Sequence, residues 1–225
     1  MKKLSAILVG MSLVAGAVMA AGPVTSVNMV GYNKIDCPRG ECVLVTTAFK
    51  SLTGAPLKSA DVFGSQFPDG VGVTIYYYDA TLPVPTYVTD QLSFLGWEEN
   101  LRYKGGMSFW VYVDPAAESN NYSIALSGEV PMETVSTNVI YTGYNLAGYP
   151  FTAGTLWTNT TLAKEIEARG DGIVYKYDPV TGYTPNAYSF LGWDYPDMVM
   201  NTGEGYWIYN PGATFTNLEV RPYNP

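Results

Sequence analysis

The pentapeptide Ser-Phe-Leu-Gly-Trp occupies residues 93–97 and recurs, letter for letter, at residues 189–193. That repetition, 96 positions apart, constrains the chain more than any other feature of it. The match spreads in both directions. MSFWVYVDP (107–115) answers EGYWIYNPG (204–212), IYYYDA (75–80) answers VYKYDP (174–179), and LVTTAF (44–49) answers LAGYPF (146–151). The copies also open alike, TSVN at 25–28 and VSTN at 135–138. Two copies at this period read as a tandem duplication rather than a solenoid, which needs three or more shorter repeats. The joint falls in SGEVPMETVS (127–136), a polar stretch carrying Gly and Pro. The expected organisation is a removed segment 1–20, a first module 21–131 and a second module 132–225.

Both modules read as β-structure. Short runs rich in Val, Ile, Tyr, Thr and Trp alternate with Gly, Pro, Asn and Asp clusters, as in VTIYYYD, SFWVYV, IVYKYD and GYWIYN. The fold class expected is all-β with a minor helix, as two β-sandwich or small-barrel modules. TTLAKEIEARG is the helix candidate: Thr160 or Thr161 can cap it, Leu162 and Ile166 make an i,i+4 pair, and Gly170 can end it. The first copy offers only the shorter PLKSADVFG at that place.

The first twenty residues, with Lys2 and Lys3 before an apolar run and small residues near Ala20, read as a bacterial export signal. Its removal leaves ten basic against twenty acidic residues. A surface of that sign repels phosphate backbones, so nucleic acid is not an expected partner. No later stretch is long and apolar enough for a membrane-spanning helix. Cys37 and Cys42 flank a Pro-Arg-Gly-Glu turn, within an insertion of about eight residues peculiar to the first copy. Export to an oxidising compartment predicts a disulfide between them.

Histidine is absent from the sequence, which excludes imidazole-dependent triads and metal sites. GxSxG, Walker and dinucleotide fingerprints are missing as well. The expectation is a chain without catalytic residues, cofactor or metal.

Comparing the copies assigns faces. Tyr77 matches Lys176, so that position is expected to meet water, with Tyr76, Tyr78, Tyr175 and Tyr177 turned inward. Phe109, Val111 and Val113 share a core face with Tyr206 and Ile208 of the second copy. Trp110, Tyr112, Trp207 and Tyr209 therefore look the other way. A half-exposed sheet should be polar on that side. Either another layer covers these four, or they form an aromatic platform for a partner. The repeat-equivalent turns Gly96-Trp97-Glu98 and Gly192-Trp193-Asp194 each place a carboxylate after the tryptophan, suited to turn capping or to a calcium ion.

NLAGYPF, VYKYDPVTGYT, the Gly-Trp turn and GEGYWIYNPG, in that order, resemble a recurrent module of secreted and cell-surface bacterial proteins. Its pattern is roughly G-x-N-L-x-x-x-P, then Y-D, then G-x-G-Y-W. The second copy keeps the pattern; the first departs from it with FKSL and GGMSFW. The resemblance implies an exported β-module of undefined activity and carries over no catalytic residue. The expected function is a structural or adhesive protein at the cell surface or in the extracellular matrix. Its partners would be other surface proteins or further copies of itself. Carbohydrate binding through Trp110, Tyr112, Trp207 and Tyr209 is the alternative.

Overall fold

Runs of β-branched and aromatic residues, broken by glycine and proline turns, put most of the chain into antiparallel strands. The structure, a computed structural model, describes residues 29–223 except 53, 54, 65, 69 and 100. The expected export signal and the TSVN segment lie outside the described residues.

The first half contains β1 (Val30–Pro38), β2 (Cys42–Thr46), α1 (Ser59–Phe63), β3 (Val73–Asp79), β4 (Thr86–Ser93), β5 (Gly96–Trp97), β6 (Ser108–Val113) and β7 (Asn121–Glu129). The second contains β8 (Val135–Ile140), β9 (Gly143–Gly148), β10 (Thr155–Leu156), a 3₁₀ turn at Trp157–Asn159 and α2 (Thr161–Arg169). It continues with β11 (Gly172–Asp178), β12 (Gly182–Ser189), β13 (Gly192–Trp193), β14 (Val199–Met200), β15 (Gly205–Asn210) and β16 (Phe215–Val220). Each half builds one five-stranded sheet, ordered β2-β6-β3-β4-β5 and β9-β15-β11-β12-β13. The two orders correspond strand for strand. A two-stranded ribbon accompanies each sheet, β1–β7 in the first half and β8–β16 in the second.

Each sheet packs one face against its own ribbon and helix. The first core joins Val45, Ile75, Phe109 and Val111 of the sheet to Ile124 and Leu126 of the ribbon and Phe63 of α1. The second joins Val174, Tyr206 and Ile208 to Ile140 and Phe215 and to Leu162, Ala163 and Ile166 of α2. Both repeated tryptophans sit at the helix side of these cores. Trp97 stacks on Phe63 at 5.1 Å, and Trp193 donates its indole N–H to Glu167 of α2 at 2.7 Å. Helix α2 begins and ends as its residues dictate: the Thr160 hydroxyl accepts the Ala163 amide at 3.0 Å, and Gly170 takes the left-handed conformation.

The ribbons differ inside. Where β7 turns Ile124 and Leu126 inward, β16 turns Asn217 and Glu219 inward. The longer α2 supplies a reason, because its first amides need acceptors. Glu219 accepts from Thr161 at 3.0 Å and from Leu162 at 3.1 Å. Burial nevertheless raises the Glu219 pKa above the usual carboxylate value. A carboxyl raised in the fold contributes its stability below its unfolded-state pKa and loses it as pH rises through the folded one. Glu219→Gln is therefore expected to flatten the loss of stability that sets in as pH rises from the ordinary glutamate range toward neutral, by a few degrees in Tm. Thermal unfolding of both proteins across that range checks it.

Two expectations are corrected here. Cys37 and Cys42 are free thiols rather than a disulfide. They lie on strands of different sheets and in different clusters, Cys37 in the first core and Cys42 on the opposite face of β2. Backbone bonds hold the intervening turn instead, Arg39 N–H to Asn120 at 3.1 Å and Gly40 N–H to Val113 at 2.8 Å. Burial pushes the Cys37 thiol up to about 12, so it stays protonated. The second correction concerns Tyr77, which packs against the first core, while Tyr76, Tyr78, Tyr175 and Tyr177 turn away from their own cores. Lys176 tolerates the core-side position because its long stem carries the ammonium to Glu204, at 2.9 Å.

Candidate functional site

The face carrying Trp110 and Trp207 is covered, and what covers it is the other half of the chain. Leu44 pairs with Trp110 in one ladder and Leu146 with Trp207 in the other. These four form a third apolar cluster with Tyr76, Tyr78, Tyr175, Tyr177 and Cys42 around them. The contacts are reciprocal. Tyr78 meets Trp207 at 4.9 Å, and its counterpart Tyr177 meets Trp110 at 4.8 Å, both edge-on. Trp207 donates to the Tyr183 hydroxyl at 3.2 Å, and Trp110 hydrogen-bonds Tyr87 in the same way.

Backbone bonds at the sheet edges complete the seam. Thr46 N–H donates to Gly203 at 2.8 Å, and Gly148 N–H donates to Gly106 at 3.1 Å. Close approach needs small residues on one side. A β-carbon on Gly205 would lie 2.6 Å from the Leu44 side chain, and one on Gly148 would overlap the Thr46 side chain. The residues at the matching ladder positions of the first half are Thr46 and Ser108, whose hydroxyls bond each other.

Trp110 and Trp207, 7 % and 9 % exposed, thus offer no open platform, and Tyr112 and Tyr209 are half-buried. One opening at the seam is a groove of about 360 Å³ lined by Tyr78, Tyr144, Tyr175, Tyr183 and Trp207. Tyr144 and Tyr183 are half exposed there, and Tyr209 supports Tyr144 from behind at 4.9 Å between ring centres. Burial raises the Tyr175 and Tyr183 pKa values, with the Tyr144 hydroxyl adding to the shift at Tyr175. The hydroxyls of Tyr175 and Tyr183 therefore stay neutral at physiological pH, and the described lining carries no acidic or basic side chain on an acidic chain.

The repeated pentapeptide forms a second feature. In both copies the serine hydroxyl accepts the amide two residues on, Ser93 from Leu95 at 3.1 Å and Ser189 from Leu191 at 3.2 Å. Gly96 and Gly192 supply the positive φ of the turn, 95° and 101°. Trp97 and Trp193 anchor the hairpin in the core. Asp194 closes the second turn by accepting the Ala187 amide at 3.3 Å, and the Glu98 amide donates to Gln91 at 3.0 Å in the first. Serine, glycine and tryptophan are thus explained by folding. Phenylalanine and leucine are not: Phe94 and Leu95 are 80 % and 83 % exposed, Phe190 and Leu191 94 % and 83 %.

Sequence reasoning picked out the turn and its Gly-Trp-acid ends but missed these four side chains. The signal was present in the identical Phe-Leu between two turn-forming residues. The groove was not visible, because Tyr78 meets Trp207 and the second-half tyrosines only across the seam. No helix among the described residues is long and apolar enough to cross a membrane. Comparison with family models, with curated proteins and with solved structures gives no match to this chain.

Proposed function

We propose that the chain is an exported, non-catalytic structural or adhesive protein of the bacterial surface or extracellular matrix, acting through apolar contact. The observation that carries this reading is the pair of identical Phe-Leu tips, held by capped hairpins and almost wholly exposed. Large apolar side chains displayed in water mark contact surfaces when they recur on a rigid frame. The two halves grip each other through an aromatic seam, so the tips are carried by one continuous body. Such a frame suits adhesion better than turnover of a small substrate.

A glycan at the aromatic groove is the alternative occupant. Rings suit stacking against sugars, but the described lining has no amide or carboxylate to orient hydroxyl groups. The reading is tested by fractionating cultures that produce the wild type or a variant with Phe94, Leu95, Phe190 and Leu191 all changed to Ser. The wild type is expected with the cell envelope and matrix, and the variant in the medium at unchanged Tm. Equal partition of the two proteins would overturn it. Wild-type binding on a glycan array, lost on Tyr144→Ala, would favour the sugar instead.

A further inference from the structure

We infer that the Phe-Leu tips of one copy dock into the aromatic groove of a second copy, joining chains head to tail. The inference rests on the surface-contact reading above and names the partner.

Three observations lead to it. First, tip and groove match in chemistry. The tips offer a ring and a branched aliphatic chain, and the groove offers neutral rings only, within about 360 Å³. That volume lies in the range of ~300–1,000 Å³ in which pockets enclose whole small ligands. Val84 and Val180, on the turns that follow β3 and β11, are exposed and extend the apolar character at the groove end of the sheets.

Second, a tip cannot enter the groove of its own chain. Tyr183 is the second residue of β12 and Phe190 follows its last, so the strand holds them ~23 Å apart at the usual rise of ~3.3 Å per residue. Tyr87, which pairs with the groove residue Tyr78, and Phe94 stand in the same relation at the two ends of β4. Tips and groove thus lie at opposite ends of the same hairpins. A surface that fits a different surface on an identical molecule makes a heterologous contact, which adds copies in one direction instead of closing into a pair.

Third, the tips are two and the same. Some exposed positions have drifted between the halves, such as Lys34 and Asp36 on β1 against Val135 and Val139 on β8, whereas the Phe-Leu tips, like the exposed Val84 and Val180, have not. An unchanged Phe-Leu at two exposed turns is what one shared socket requires. The first half lacks one ring of this lining among its described residues, because the ladder position of Tyr144 is held there by Cys42.

Copies of a chain with this net negative charge repel one another, so salt is expected to strengthen the contact by screening. The test is sedimentation velocity of the purified full chain over a concentration series, at low and high salt. Two variants accompany the wild type: the tip variant with Ser at 94, 95, 190 and 191, and Tyr144→Glu in the groove. Both changes are at exposed or half-exposed side chains, and circular dichroism confirms folding. The wild type is expected to form a ladder of oligomers. Each variant alone is expected to be monomeric, with association weakened at least ~30-fold. Mixed, they should recover complexes that stop at one Tyr144→Glu chain carrying one or two tip-variant chains, since one supplies tips and the other a groove. Assembly of the tip variant alone would overturn the docking while leaving a self-associating surface protein. A monomeric wild type at every concentration and salt would also overturn the docking, whereas the surface-contact reading falls only if the wild type and the tip variant partition equally between envelope and medium.

Discussion

Trp207→Ala is expected to separate the unfolding of the two halves. The indole is buried, edge-on to Tyr78 and hydrogen-bonded to Tyr183, and it belongs to the cluster between the sheets rather than to either core. Truncating a buried tryptophan costs about 3–5 kcal/mol. Here that loss falls on the seam, because the cores around Ile75 and Val174 keep their own side chains. Calorimetry should show one transition in the wild type and two in the variant, the lower shifted down by roughly 6–15 °C. The matched change Trp110→Ala should do the same, since its contacts mirror those of Trp207. A variant that melts in one step with an unchanged midpoint would show that the seam contributes little.

Gly148→Ala is expected to be nearly as damaging, for a steric reason. The added methyl would overlap the Thr46 side chain where the β2 and β9 edges cross, and backbone hydrogen bonds from both residues fix that crossing. Overpacking a closed site costs about 1–3 kcal/mol. Thr46→Gly should restore most of the loss in the double variant, because it transfers the small residue to the other side of the seam. The coupling expected between the two changes is about 1–3 kcal/mol in denaturant melts. Additive single effects would place the strain elsewhere.

Much of the frame was legible in one dimension. Strand runs, the α2 boundaries at Thr160 and Gly170, and the core face of Phe109, Val111 and Val113 follow from periodicity and capping, which are local properties. Comparison of the two copies placed Trp97 and Trp193 at equivalent turns. It misled at Tyr77, because a lysine at the matching position was read as a mark of solvent when the stem of Lys176 runs along the core to reach Glu204. The disulfide expectation failed for a related reason. Only four residues separate Cys37 from Cys42 along the chain, yet their strands join different sheets.

The groove and its relation to the tips needed three dimensions. Tyr78 and Tyr144 are 66 positions apart, and nothing in either run announces the other. Their meeting depends on how two sheets cross at Gly106, Gly148 and Gly203, a matter of backbone clearance that no residue pattern encodes. Local rules of alternation, capping and turn chemistry determined what each segment is, because they act over a few residues. Which faces stayed open was decided only when the two halves closed on each other. Burial is a property of the assembled surface, and it left four apolar side chains at the far ends of the sheets in water.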